Sequence, residues 1–124
     1  MDLPVGIYNI GAIVMVDFPF REDNNKYKSR PAVIIGFDNN ITSVVLLQVT
    51  SHQVRTMYDY EIKEYRGTGL YKKPSVVRCN CVFTIANSKT VFKIGDLSRN
   101  DLLAINILYN QAIKQNLVEY YNKN

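Results

Sequence analysis

A chain of 124 residues has the size of one domain, which excludes a large multidomain enzyme and predicts that residues 1–124 fold around a single core. With 47% hydrophobic and 21% charged residues the chain is too apolar to be disordered, and its formal charge of +4 suits an anionic partner without requiring one. No stretch approaches the roughly 18 apolar residues of a membrane span, and the N-terminus lacks the pattern of a secretory signal, so we expect a cytoplasmic protein with no membrane partner.

The first half of the chain predicts three strands. Residues 11–18 form a β-branched run bounded by glycine and proline, whereas the polar residues 19–29 predict an exposed loop. Residues 31–38 form the second strand, where Pro31 is tolerated only at the start because it cannot donate to a ladder. Asn39 and Asn40 accept a left-handed backbone and predict a hairpin turn into the third strand, residues 41–50.

The second half predicts two short strands, residues 58–62 and 90–94, on either side of a longer alternating strand over residues 75–85. One face of the long strand would carry Val77, Cys79, Cys81, Phe83 and Ile85, and the other would carry Arg78, Asn80 and Thr84. Arg78 is therefore expected to face solvent or a ligand.

A C-terminal helix is predicted over residues 101–120. Ser98 can cap its first free amides, and Asp101 meets the positive end of the helix dipole. We expect its apolar stripe to pack on the domain's own sheet, with partner binding as the alternative; the stripe consists of Leu102, Ile105, Ala112, Ile113 and Leu117. Five or six strands followed by one helix predict a mainly β fold built on a small, strongly curved antiparallel sheet or barrel.

The cysteines and histidine form a weak set of metal ligands. Cys79 and Cys81 point to the same side of an extended strand at a spacing poor for a disulfide, so we expect reduced, buried thiols. A zinc site needs about four ligands, and His52 is the only histidine. Asp17 and Asp59 are isolated acids at strand positions, which are more often structural than metal-binding. We therefore expect neither a metal nor another cofactor.

Polar residues collect where the second strand begins and the third ends. Arg30 precedes the second strand, and its fork of donors suits phosphate, although a plain surface arginine is the alternative. Thr50, Ser51 and His52 follow the third strand. Because strands joined by a hairpin have their distal ends side by side, Arg30 and Thr50 should share one neighbourhood.

An arginine beside a hydroxyl suits the cleavage of an RNA phosphodiester without a metal. The guanidinium can neutralise charge on the phosphorus oxygens, Thr50 or Ser51 can donate a hydrogen bond to one of them, and His52 can serve as base or acid or remain an exposed loop residue. RNA supplies its own nucleophile, the adjacent 2′-hydroxyl. The sequence contains no Walker motif, dinucleotide-binding glycine pattern or nucleophile elbow.

Several segments together resemble the PemK/MazF family of toxin endoribonucleases. They are GAIVMVDFPF from Gly11, KSRPAVII from Lys28, QVTSH from Gln48, GLYKKPSVVR from Gly69 and IGDLS from Ile94. The resemblance covers residues 11–113 and implies an SH3-like barrel of the CcdB/PemK kind that forms a homodimer. It also implies sequence-specific, metal-independent cleavage of single-stranded RNA to a 2′,3′-cyclic phosphate and a 5′-hydroxyl, growth inhibition, and a cognate antitoxin that blocks the site.

The resemblance assigns two catalytic residues. Arg30 matches the arginine before proline that the family uses for proton transfer and phosphate stabilisation, and Thr50 matches the hydroxyl residue that holds the phosphate. The residues predicted to bind substrate are Ser51, His52, Ser75 and Arg78.

Two other functions remain open at this stage. One is a toxin on the same barrel that inhibits a protein target such as a topoisomerase without doing chemistry. The other is a plain nucleic-acid-binding barrel that leaves RNA whole. The chain also departs from some members of the family at Phe83, where they carry an arginine.

Overall fold

The computed structural model describes residues 8–19, 27–67 and 74–123. The elements are β1 (Ala12–Pro19), β2 (Tyr27–Phe37), β3 (Ser43–Thr50), β4 (Asp59–Glu61), β5 (Tyr65–Gly67), β6 (Val76–Ala86), a 3₁₀ turn (Asn87–Lys89), β7 (Thr90–Leu97) and α1 (Arg99–Lys123). The strands form one antiparallel sheet in the order β4-β6-β3-β2-β1-β7-β5. This confirms a mainly β fold with a C-terminal helix, in which the described strands make a curved sheet with two edges rather than a closed barrel.

The sheet buries one hydrophobic cluster on each face. The helix-side core lies between the sheet and α1 and includes Ile13, Val33, Leu47, Val49, Val77, Cys79 and Ile105. Both edge strands contribute to it, β4 through Tyr60 and β5 through Tyr65, so the sheet curves around this core. The second core lies on the opposite face and consists of Ala12, Val14, Val16, Ala32, Ile34, Val44 and Leu46.

The second strand begins earlier than predicted, at Tyr27, and Pro31 stands inside it rather than at its start. The N–H of Gly11 donates to the carbonyl of Ile34 at 2.8 Å, so the backbone groups of residues 34, 32 and 30 face β1. By alternation the nitrogen of Pro31 faces β3, and the ladder with β3 begins only at Ala32. Pro31 therefore removes no ladder hydrogen bond. The remainder of the predicted loop, residues 20–26, lies outside the described residues.

The turn between β2 and β3 is where predicted, but the left-handed residue is Ile41, with a φ of 56°, rather than either asparagine. Asp38 holds the turn by accepting hydrogen bonds from Thr42 Oγ1 at 2.6 Å and from the N–H groups of Thr42 and Ser43. The hydrogen bond from the Thr42 side chain, followed by that from Ser43, lowers the pKa of Asp38. The Asp38 carboxylate thus offsets the strain of a β-branched residue at positive φ.

The prediction that odd-numbered residues of β6 share one face is wrong. Cys79 belongs to the helix-side core, whereas Ile85 packs against the second core. Leu47 pairs with Val82, but the residue two further along β3 pairs with Val77, so residues 78–81 of β6 face a single residue of β3. This bulge reverses the alternation halfway along the strand. Both thiols are free as predicted, with the first buried and that of residue 81 half-buried.

The helix begins as predicted, because the Ser98 hydroxyl accepts the N–H of Asp101 at 3.1 Å. Its buried residues are Asp101, Ile105 and Ala112. Beyond residue 112 the described helix is exposed, and Leu117 of the predicted stripe is about half exposed. The predicted packing of the stripe on the sheet therefore holds only for the first half of α1.

Candidate functional site

Arg30 and Thr50 lie near the adjoining ends of β2 and β3. Arg30 is half-buried and pairs with Val16 of β1, while Thr50 is the last residue of β3. The hydrogen-bonded register between the two strands pairs Ala32 with Gln48, and two more residues along this register Arg30 stands opposite Thr50. Because alternate residues of a strand share a face, both side chains belong to the face that carries the second core.

This face is concave. Phe18 of β1 and Phe83 of β6 are separated in the sheet order by β2 and β3, yet their rings meet edge to face with centroids 5.1 Å apart. The sheet must curl over the second core for these rings to touch. Gln48 is half-buried and shares the face with Thr50. Sequence reasoning did not select Gln48 as a site residue, although its position two residues before Thr50 on a strand was the available signal.

A turn after β3 arranges the polar residues that follow it. The N–H of His52 donates to Thr50 Oγ1 at 3.2 Å, and Ser51 and His52 are exposed. Thr50 pairs with Val76, the first residue of β6, so Ser75 lies at the same end of the sheet. The structure thus brings the two predicted serines and the histidine to the edge of the Arg30–Thr50 face.

Arg78 enters the same neighbourhood from β6. It is half-buried, pairs with Asp59 of β4, and shares a face with Val76, which is directly opposite Thr50. The Asp59 carboxylate also accepts the N–H of Arg55 at 3.0 Å through Oδ2, while Oδ1 is buried without a hydrogen bond in the described part of the chain. All six predicted site residues therefore lie on one face or at its edge.

In the part of the chain that the structure describes, no three histidine, cysteine or acidic side chains are grouped to hold a metal ion. Over the same residues, no helix has the length and apolar character needed to cross a membrane.

Solved structures with the same fold include three toxins. The chain is similar to the MazE-MazF complex (Form-II) from Deinococcus radiodurans, with a TM-score of 0.69, 14% identity, and coverage of 86% of this chain and 96% of that chain. It is also similar to the Mycobacterium tuberculosis toxin MazF-mt6, with a TM-score of 0.65, 20% identity, and coverage of 83% and 96%. A mycobacterial endoribonuclease in complex with its cognate antitoxin gives a TM-score of 0.66 and 12% identity, with coverage of 84% and 92%.

Sequence comparison gives a result of a different kind. None of the curated proteins matches the chain. The family model of the PemK-like, MazF-like toxins of type II toxin-antitoxin systems, however, matches residues 9–113. This span contains the whole curved sheet, the six candidate site residues and the first half of α1. The chain therefore belongs to the PemK-like, MazF-like toxin family.

Proposed function

We propose that this chain is the endoribonuclease toxin of a type II toxin-antitoxin module, which cuts single-stranded RNA at short sequences without a metal ion and so inhibits growth. Family membership supports the toxin assignment. The observation that supports RNA cleavage is the register that sets Arg30 opposite Thr50 on a concave face. Neighbouring strands are about 4.8 Å apart, so a guanidinium and a hydroxyl on opposite residues can reach one phosphate group.

In the proposed reaction the 2′-oxygen of a nucleotide attacks the phosphorus of its own 3′-phosphate. The bond from phosphorus to the 5′-oxygen of the next nucleotide breaks, one proton leaves the 2′-hydroxyl, and one proton is delivered to the departing 5′-oxygen. The products are a 2′,3′-cyclic phosphate and a 5′-hydroxyl. Arg30 takes part in proton transfer and neutralises the negative charge that develops on the non-bridging oxygens.

Thr50 is oriented for the task assigned to it. Its Oγ1 accepts the N–H of His52 at 3.2 Å, which leaves the hydroxyl proton to be donated to a phosphate oxygen. Arg78 adds a second cation on the same face, and Ser51, His52 and Ser75 at its edge contact the nucleotides on either side of the scissile bond. We assign these four residues to substrate binding.

The partners of the chain follow from those of its relatives. Two of the similar structures are a MazE-MazF complex and an endoribonuclease with its cognate antitoxin, which supports a cognate antitoxin for this chain too. Neutralisation requires that the antitoxin cover the Arg30–Thr50 face. We further propose that the toxin is a homodimer and acts in the cytoplasm, where its single-stranded RNA substrate is found.

Cleavage of a labelled single-stranded RNA in the presence of EDTA tests the proposal. The wild type should cut the RNA and leave a 2′,3′-cyclic phosphate, and a 2′-deoxynucleotide at the cleavage position should block the cut. Arg30→Ala should reduce the rate by about 100-fold or more, as removal of one charge-stabilising group does elsewhere. Thr50→Val, which removes only the hydroxyl, should reduce it by about 10-fold or more. Arg99→Ala is the matched control, because Arg99 is an exposed arginine at the start of α1.

Each contrary result identifies a different error. Cleavage that disappears in EDTA overturns the metal-free reaction, and cleavage that survives Arg30→Ala in a folded protein overturns the role of Arg30. Growth inhibition without RNA cleavage, unaffected by Arg30→Ala but dependent on α1, would favour a toxin that binds a protein target such as a topoisomerase. Salt-dependent RNA binding without cleavage would indicate a plain nucleic-acid-binding domain.

A further inference from the structure

The outward side of α1 carries apolar side chains that neither core uses. Leu103, Ile107, Leu117 and Tyr121 are 51%, 57%, 54% and 68% exposed. At 100° per residue they lie on the side of the helix opposite Ile105, which is buried in the helix-side core. Four large apolar residues along one side of a helix form a continuous surface rather than scattered exposure.

The spacing of these residues is that of a coiled coil. With Asn110 and Lys114, which are also exposed, the series is 103, 107, 110, 114, 117 and 121, alternating steps of four and three as heptad positions a and d do. At 1.5 Å per residue it extends about 27 Å along the helix. The family match ends at residue 113, so half of this outward stripe, as we call these six residues, lies beyond the region shared with the family.

The outward stripe is symmetric about residue 112. In an antiparallel pair of helices centred there, Leu103 faces Tyr121 of the other copy, Ile107 faces Leu117, and Asn110 faces Lys114. We propose that two copies of this chain pair through the outward stripe, α1 against α1, with the helices antiparallel. A two-fold axis repeats every contact twice, as a self-complementary interface requires.

Charge selects the antiparallel arrangement. A parallel pair in register would set the ammonium group of Lys114 against its own copy, at a position where both are withdrawn from water. The antiparallel pair instead gives each Lys114 the amide oxygen of Asn110 on the other copy, and does so twice. A shift of one heptad would place Leu103 against Lys114, so the central polar pair also fixes the register.

The proposed pairing does not depend on the proposed RNA chemistry. α1 packs on the helix-side core, whereas Arg30 and Thr50 belong to the opposite face of the sheet. Two copies joined through the outward stripe leave the Arg30–Thr50 face of each copy open to substrate. Failure of one proposal therefore leaves the other standing.

Disulfide trapping with mixed variants tests the register. Ile107→Cys and Leu117→Cys are made separately in the full chain with Cys81→Ser, since Cys79 is buried, and one of them carries a tag that changes its mass. On mild oxidation each variant alone should remain uncrosslinked, because like positions are about 15 Å apart in the antiparallel pair. An equal mixture should give a covalent dimer with one copy of each. A mixture of Leu103→Cys with Ile107→Cys, about 21 Å apart, is the control that should not crosslink.

The mass in solution gives a second, independent measurement. Leu117→Glu should weaken self-association at least tenfold in analytical ultracentrifugation and leave RNA cleavage and the melting temperature unchanged. The matched control is Asn116→Glu, which adds the same charge at an exposed position on the flank of α1. Crosslinking of either cysteine variant alone, no crosslink in the mixture, or a mass unaffected by Leu117→Glu would each overturn the proposal.

Discussion

Asp101 joins the start of α1 to the segment between β4 and β5, and its replacement tests what holds the helix on the sheet. The residue is 2% exposed. Its carboxylate accepts the hydroxyl of Tyr60 at 2.6 Å and the N–H groups of Lys63 and Glu64 at 2.8 Å each. Its own N–H donates to Ser98 Oγ. One side chain thus satisfies three donors and stands in the first turn of the helix.

The magnitude follows from counting these donors. A hydrogen bond to a charged group contributes about 1.5 to 3 kcal/mol, so three give an upper range of about 4.5 to 9 kcal/mol. Lys63 and Glu64 are exposed, so in Asp101→Ala their N–H groups regain water and the loss is smaller. We expect Asp101→Ala to lower the free energy of unfolding by about 3 to 5 kcal/mol. Asp101→Asn keeps one acceptor oxygen and should lower it by about 2 kcal/mol.

Urea denaturation followed by circular dichroism measures these differences. Tyr60→Phe combined with Asp101→Asn in a double-mutant cycle should give a coupling free energy of about 1 kcal/mol or more, because the two residues share one hydrogen bond. Asp96→Ala is the control, since Asp96 makes an exposed ion pair with Lys93 and its removal should change stability by less than about 1 kcal/mol. If Asp101→Ala were no more destabilising than Asp96→Ala, the network would not hold the helix.

Three further predictions concern single residues. Burial, and secondly the hydrogen bond to Asp101, raise the pKa of Tyr60 to about 12 from its usual 10.0, so this stabilisation is complete below pH 10 and lost as the pH rises towards 12; Tyr60→Phe should flatten the fall of the unfolding free energy over that window, and equal slopes would contradict this. Burial, and secondly the charge of Asp59, raise the pKa of the Cys79 thiol to about 12, so maleimide at neutral pH should label native Cys81 and not Cys79, as mass spectrometry would detect; rapid double labelling would contradict it. A Cβ on Gly95 would collide with the carbonyl of Arg66 on β5, so Gly95→Ala should destabilise the fold by about 1 to 3 kcal/mol or more in urea denaturation, and an unchanged midpoint would show that β5 can move aside.

The strands that pattern alone predicts are those with a run of apolar or alternating residues. Residues 11–18, 58–62 and 90–94 each mark a real strand, although β7 continues to Leu97. β5 was missed because its three residues, Tyr65–Gly67, form no pattern. It exists because Gly67 and Gly95 allow two backbones to approach where a Cβ would collide. A contact of this kind depends on tertiary packing and leaves no local periodicity to detect.

The candidate site was more predictable than the fold details around it. A hairpin fixes which strand ends meet, so the turn at residues 39–40 was enough to bring Arg30 and Thr50 together even though the start of β2 was misplaced. The concavity of the face was not predictable, because it depends on Phe18 meeting Phe83 across two intervening strands. The role of each polar residue came from family resemblance and not from periodicity.

The bulge in β6 links the largest error in the fold to the site. If the register of Leu47 with Val82 continued unbroken, Arg78 would stand opposite Ser51 and share the face of the helix-side core. The three extra residues in β6 move Arg78 further along β3 and onto the other face, beside Thr50. An odd number of inserted residues has this effect because the side-chain period of a strand is two. Val77 can then fill the helix-side core while its neighbour Arg78 adds positive charge to the concave face, which an unbroken strand could not combine.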